Sequence, residues 1–116
     1  MAEPLETEVV HDGGGTVIHV RGEIDMDTAG RLRDAIEPHL GPRQSVVLDL
    51  SGVRYMDSSC LNLLVQARGR LTEDGGSLVL RSPSEVARRV LTAGRMEDLL
   101  AAAATERARE RRGPAT

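Results

Sequence analysis

The feature that most constrains the fold is a short apolar run, Val46 to Leu50, followed by a longer segment with helical periodicity. Asp49 is the only polar member of this run, a composition typical of a central strand that is buried on both faces. The segment from Ser58 to about Glu73 predicts a helix with one apolar face. The residues expected on that face are Leu61, Leu64, Val65 and Leu71.

The N-terminal part of the chain predicts a β-hairpin. Leu5 to His11 alternates loosely between polar and apolar residues and fits an edge strand. Residues 12–15 contain three glycines and predict a turn. Thr16 to Gly22 alternates clearly, so that Ile18 and Val20 would face the core.

Two further helices and one strand complete the predicted order. The first helix can be capped by either Asp25 or Asp27 and runs to about Leu40. Residues 77–81 predict another strand, and a helix through Leu91 follows it. The fold class is therefore α/β: a small domain with a mostly parallel central sheet, helices packed on it and an N-terminal β-hairpin.

The C-terminal part is less regular. Leu99 to Ala104 prefers helix by intrinsic propensity, and we expect either a weak strand or a short helix that continues towards Arg107. Residues 1–104 then form one domain. Residues 105–116 mix charges with glycine and proline, which predicts a frayed tail.

The composition argues against several classes of protein. The net charge is −3 and Tyr55 is the only aromatic residue, so nothing favours a nucleic acid or an anionic membrane as partner. No apolar run reaches transmembrane length, and the first residues lack the features of a secretory signal. Cys60 is the only cysteine, which suits a reducing compartment. We therefore expect a cytoplasmic protein.

The histidines do not predict a metal site. His11, His19 and His39 have no spacing typical of metal ligands. The glycine-rich turn also lacks the Lys-Ser/Thr pair of a phosphate-binding loop. No cofactor of the protein's own is expected.

An acid and two hydroxyl groups stand at the start of the predicted second helix. Asp57, Ser58 and Ser59 are residue types that accept hydrogen bonds from the unpaired N–H groups of a first turn. A negative charge is also favoured there by the helix dipole. Ser58 is therefore either an ordinary N-cap or a serine whose phosphate would occupy an anion site at the helix start.

The same segment resembles the phosphorylation site of the STAS-domain anti-sigma factor antagonists, whose usual pattern is Asp-Ser-Ser/Thr-Gly-Leu/Val-Gly. The matching positions are Asp57, Ser58, Ser59 and Leu61. Cys60 and Asn62 stand where the family usually has glycine. Residues 22–25 resemble the family's Gly-Glu-Leu-Asp segment, and the resemblance covers about Leu5 to Leu100.

The resemblance implies a binding switch that is not an enzyme. Unphosphorylated protein would bind an anti-sigma factor that is itself a serine kinase, and so release a sigma factor. The kinase, with ATP and Mg²⁺ in its own site, would phosphorylate Ser58 and end the complex, and a phosphatase would reset it. The predicted partner-binding residues are Asp25, Asp57, Ser58, Ser59, Asn62 and Gln66.

Other interpretations stay open at the level of sequence. The departures at Cys60 and Asn62 suit a STAS scaffold or regulatory subunit, in a signalling complex or beside a transporter, that needs no phosphorylation. An enzyme with Ser58 as nucleophile is disfavoured because no Gly-x-Ser-x-Gly motif is present. Cys60 is either a reactive thiol at a helix start or, as we favour, a small packing residue. Asp25 is a helix cap, part of the partner surface, or both.

Overall fold

The computed structural model describes residues 4–100, in which strands and helices follow the predicted order. The elements are β1 (Leu5–Asp12), β2 (Gly15–Ile24), α1 (Ala29–Ile36) with a 3-10 turn (Glu37–His39), β3 (Ser45–Met56), α2 (Ser59–Glu73), β4 (Ser77–Arg81) and α3 (Glu85–Ala93). Residues 97–100 begin a further helical turn.

The four strands form one sheet in the order β1-β2-β3-β4. β1 and β2 are antiparallel, whereas β2, β3 and β4 are parallel to one another. Gly13 and Gly14 join β1 to β2 with φ values of 56° and 87°, the positive range that tight hairpin turns require. The hairpin and the mostly parallel sheet predicted from the sequence are confirmed.

The hydrophobic core lies on one face of the sheet, under the helices. Alternate residues of β2, β3 and β4 point to this face. The largest fully buried side chains include Ile18 and Val20 of β2, Leu48 and Leu50 of β3, Leu80 of β4, and Leu32, Ile36, Leu64, Leu71 and Leu91 of the helices. The expected burial of β3 on both faces is wrong, because Val47 and Asp49 on its second face are only half-buried.

Two details of the helices differ from the sequence prediction. The α-helical part of α1 ends at Ile36 rather than near Leu40, since Pro38 lacks the N–H that a continuing helix needs. Val65 of α2 is 54% exposed rather than buried. The core positions of α2 also include Cys60, Leu63 and Ala67.

The C-terminal prediction is tested only in part. Leu99 and Leu100 are helical, and Leu99 is buried, which confirms the short-helix alternative for these two residues. Residues 101–104, the expected tail 105–116 and the boundary between them lie outside the described residues. Between residues 4 and 100, no helix is long and apolar enough to cross a bilayer.

Candidate functional site

Two loops meet at the edge of the sheet where the parallel strands β2 and β3 end. Ile24 and Met56 are register partners at these two strand ends. The backbone N–H of Asp57 donates a hydrogen bond of 3.1 Å to the carbonyl oxygen of Ile24. The loop formed by residues 25–28, here called the Asp25 loop, therefore lies beside the start of α2.

The Asp25 loop is held by its own side chains. Oδ1 of Asp25 accepts hydrogen bonds from the backbone N–H groups of Asp27 (2.9 Å) and Thr28 (3.0 Å). The buried Thr28 hydroxyl donates to the carbonyl oxygen of Glu23 at 2.7 Å. Asp25, rather than Asp27, is thus the acid that caps the turn before α1, and Met26 at the tip of the loop is 82% exposed.

Asp57 fixes the start of α2. Its Oδ1 accepts a hydrogen bond of 2.9 Å from the backbone N–H of Ser59, and the Ser59 hydroxyl donates to the same oxygen. Asp57 and Ser59 are both half-buried. Asp57 is therefore the residue of the three that caps this helix start, and the Ser59 hydroxyl is engaged within the same turn.

Ser58 has a different environment from its two neighbours. It occupies the N-cap position of α2 with helical dihedral angles (φ −70°, ψ −10°), and its side chain makes no capping hydrogen bond. An N-cap side chain reaches the first-turn N–H groups from an extended backbone, which Ser58 does not adopt. Ser58 is exposed, and its hydroxyl is not used for capping because Asp57 accepts the first-turn N–H.

A shallow groove between α2 and α3 begins at Ser58. Leu61, Arg89, Val90, Ala93 and Gly94 also line it. A Cβ atom at Gly94 would overlap the side chain of Leu61, so glycine allows the end of α3 to approach α2 closely. Arg89 is largely exposed and forms an ion pair of 2.7 Å with Glu85.

Cys60 points away from this surface. It is 1% exposed and belongs to the hydrophobic core. Burial, together with the nearby Asp57 charge, raises the pKa of the Cys60 thiol to about 12. The thiol is therefore protonated at neutral pH, which supports the packing interpretation against the redox one. Because its side chain is buried, Cys60 adds no exposed bulk beside Ser58, although it stands where the antagonists usually have glycine.

The exposed face of α2 continues from Ser58 along the helix. Asn62 and Gln66, two of the predicted partner-binding residues, are exposed. Val65 lies on the same face, since it is three residues after Asn62 and seven after Ser58. Val65 and Met26 are exposed apolar residues that sequence analysis did not assign to the site. The three-residue spacing from Asn62 could have predicted that Val65 belongs to the site. For Met26 the sequence offered only its position next to Asp25.

The histidines lie away from Ser58. His11 and His39 contact each other with ring centroids 5.7 Å apart, near the hairpin turn at the opposite end of the sheet. Nδ1 of His19 lies within hydrogen-bonding distance, 2.7 Å, of Oδ2 of Asp49 on the sheet face without helices. Within residues 4–100 no group of three or more His, Cys, Asp or Glu side chains could hold a metal ion. None of the three histidines is placed to act as a base for Ser58.

Comparisons with known proteins agree with this architecture. The protein-family profile described as "Mlab, STAS domain" matches residues 7–111. An anti-sigma-B factor antagonist of Bacillus subtilis is 27% identical over 96 residues, which are 83% of this chain and 88% of that protein. A STAS-domain containing protein of Pseudomonas aeruginosa is 32% identical over 89 residues, 76% of this chain and 87% of that protein.

A solved structure gives the same result. The crystal structure of an anti-sigma factor antagonist from Mycobacterium paratuberculosis superposes with a TM-score of 0.69 and is 32% identical in sequence. The match covers 84% of this chain and 86% of that one. The sheet and helices described above are therefore shared with a protein of this class.

Proposed function

The chain belongs to the STAS-domain family, and we propose that it acts as an anti-sigma factor antagonist whose binding is switched at Ser58. In the unphosphorylated state it binds an anti-sigma factor that is a serine kinase, and a sigma factor is released. The observation that carries the proposal is the exposed Ser58 hydroxyl, which makes no capping bond because Asp57 holds the helix start. The names of the two antagonists with similar sequence or structure support it.

The binding surface consists of the Asp25 loop and the exposed face of α2. It comprises Asp25, Met26, Asp57, Ser58, Ser59, Asn62, Val65 and Gln66. Met26 and Val65 supply apolar area at its two ends, and polar groups surround Ser58 between them. A partly apolar patch with a polar rim is typical of an interface that forms and dissociates.

Phosphorylation would act by electrostatics without refolding the domain. A phosphate on Ser58 adds close to two negative charges, and a helix N-terminus tolerates them. At an interface the same dianion would lose its water. Without a cationic partner that desolvation costs several kcal/mol, enough to weaken binding about a thousandfold.

The remaining parts of the switch belong to other proteins. ATP and Mg²⁺ bind in the kinase, and a phosphatase removes the phosphate, so this chain needs no cofactor of its own. All of these steps take place in the cytoplasm. Ser58 is a substrate in this scheme and not a catalytic group, in keeping with the distance of all three histidines from it.

The direct test is affinity capture from the native lysate with wild type, Ser58→Ala and Ser58→Asp as baits, followed by mass spectrometry. We expect a kinase-like anti-sigma factor on wild type and Ser58→Ala, and its loss with Ser58→Asp. Ser84→Asp, at the start of α3 and outside this surface, is the control for a new charge at a helix start. Retention of the same partner by all three baits would exclude the switch.

The second candidate is a scaffold or regulatory subunit that ignores the state of Ser58, in a signalling complex or beside a transporter. Asn62 favours it, because an exposed polar side chain stands where the antagonists usually have glycine. Asn62→Gly separates the two functions. For a switch, the exchange should leave binding intact and speed phosphorylation of Ser58, whereas for a scaffold no phosphorylation occurs in either variant.

A further inference from the structure

The sheet has a second face that the helices do not cover. Three valines at its centre, Val17, Val47 and Val79, are only half-buried. None of them belongs to the hydrophobic core or to the partly buried residues packed against it. All helices described between residues 4 and 100 contribute their buried side chains to the other face. We call this uncovered surface the open face.

The strand register arranges the open face in two rows that cross all four strands. The first row is apolar and consists of Val10, Val17, Val47 and Val79. The second row is ionic and consists of Glu8, His19, Asp49 and Arg81. Each row has one residue from each strand, and the ionic row has an acid at the β1 edge and a base at the β4 edge.

The centre of the ionic row is internally paired. His19 contacts Asp49 at 2.7 Å. Partial burial opposes the charged form of Asp49, but hydrogen bonds from Ser51 and from His19 outweigh it and lower the pKa of this carboxyl. Glu8 and Arg81 at the two ends are three strand spacings apart, about 14 Å, too far to pair within one chain.

From this arrangement we propose that the open face binds a second copy of the chain, with a two-fold axis parallel to the strands. Half a turn about such an axis places β1 of one copy over β4 of the other. Glu8 then faces Arg81 of the second copy, and His19 faces Asp49 of the second copy. The two valine rows face each other in the same way.

The charges select this axis among the possible two-fold axes. An axis in the plane of the interface but perpendicular to the strands would place β1 over β1. Where such an axis passes through the ionic row, Glu8 lies opposite Glu8 and Arg81 opposite Arg81. Like charges at such positions are unfavourable. The open face is therefore self-complementary in only one of these two arrangements, and that arrangement produces the aligned packing of a β-sandwich.

The size of the face indicates a weak dimer. Four strands spaced at about 4.8 Å and roughly eight residues long give an area of about 500 Å² per copy. Specific interfaces of ordinary strength bury about 800 Å² per partner, so we expect association in the micromolar range or weaker. The surface around Ser58 lies beyond the ends of β2 and β3, on the side of the sheet that carries the helices. A dimer through the open face would therefore leave this surface accessible on both copies. The proposal does not depend on the function assigned to Ser58.

Charge exchange provides the test. Sedimentation velocity over a concentration series should show wild type in reversible monomer–dimer equilibrium. Glu8→Arg alone and Arg81→Glu alone each make two repulsive contacts per dimer and should weaken association by about tenfold or more. An equimolar mixture of the two variants should restore it, because every end contact then joins opposite charges. Asp34→Arg, on the exposed side of α1, is the control for the change in net charge.

Two further measurements make the result decisive. Val47→Lys should abolish association while the circular dichroism of the monomer stays unchanged, because the lysine side chain can reach solvent from the open face. A wild type that remains monomeric at millimolar concentration overturns the proposal. So does a dimer that survives Val47→Lys, or one for which mixing the two charge variants restores nothing. The wild type would remain monomeric, for example, if the open face were covered by residues 101–116 of its own chain or by another protein.

Discussion

The starts of α2 and α3 have the same residue type at the N-cap and use it in opposite ways. Ser84 has an extended backbone (φ −62°, ψ 167°), and its hydroxyl accepts a hydrogen bond of 3.2 Å from the N–H of Ala87. Ser58 has helical dihedral angles and makes no such bond. At α2 the preceding residue, Asp57, accepts the backbone N–H of Ser59 instead.

The difference separates a structural serine from an available one. Ser84 is half-buried and contributes to the stability of α3, whereas Ser58 is exposed and its hydroxyl is not needed by the fold. A residue that can gain a phosphate without loss of structure must be of the second kind. The backbone conformation, and not the serine itself, determines which kind it is.

Partner binding should separate the two serines most strongly. With the captured anti-sigma factor, Ser58→Asp should bind about a thousandfold more weakly than wild type, because a desolvated charge costs several kcal/mol at the interface. Ser58→Ala should bind within about twofold of wild type. Isothermal titration calorimetry measures both. Ser84→Asp is the control, and an equal loss of affinity in Ser58→Asp and Ser84→Asp would contradict the assignment of the surface to α2.

The alkylation rate of a cysteine should show whether burial or position at a helix start controls its reactivity. Because the pKa of Cys60 is raised to about 12, little thiolate exists at neutral pH. Alkylation of Cys60 should be about a thousandfold slower than that of a free peptide thiol, and should still be accelerating above pH 9. In Cys60→Ala with Glu85→Cys, the new thiol in the exposed first turn of α3 should react rapidly. A fast reaction at Cys60 would restore the redox interpretation.

Truncation of either cap should have a moderate effect on stability. Ser84→Ala and Asp57→Ala each remove an acceptor of a first-turn N–H, and each should lower the free energy of unfolding by about 1 kcal/mol. Urea denaturation followed by circular dichroism measures the change. If Asp57→Ala were neutral, the capping of α2 by Asp57 would be wrong.

Ser58→Ala should have the weakest effect on stability. Since the Ser58 hydroxyl makes no capping bond, its removal should change the free energy of unfolding by no more than a few tenths of a kcal/mol. The same denaturation series contains its control, Ser84→Ala. A loss at Ser58→Ala as large as that at Ser84→Ala would show that Ser58 is an ordinary N-cap.

Much of the fold followed from sequence pattern. Apolar alternation and the glycine turn predicted the hairpin, and β4 coincides with the predicted residues 77–81. The errors have local causes. The sequence prediction placed Val65 on the apolar face together with Leu64. Side chains of consecutive helix residues point in directions about 100° apart around the axis, and Val65 points to solvent. An almost continuous apolar run also did not reveal that β3 has one uncovered face.

The site was predictable in its residue types but not in its geometry. The sequence placed Asp57, Ser58 and Ser59 together at a helix start, and the structure confirms that position. Which of them caps the helix depends on φ and ψ at Ser58, since any of these side chains can accept a first-turn N–H. The exposure of Met26 depends on the Asp25 loop, which is held by contacts between residues too close in sequence to leave a periodic pattern.

Phosphorylation of single-site variants by the captured kinase tests the role of Ser58 most directly. Wild type, Ser58→Ala, Ser59→Ala and Ser84→Ala would each be incubated with the kinase and ATP·Mg²⁺, and the intact masses measured. We predict the addition of one phosphate to every variant except Ser58→Ala. Phosphate on Ser58→Ala at the wild-type rate, or on no variant at all, would contradict the proposed switch.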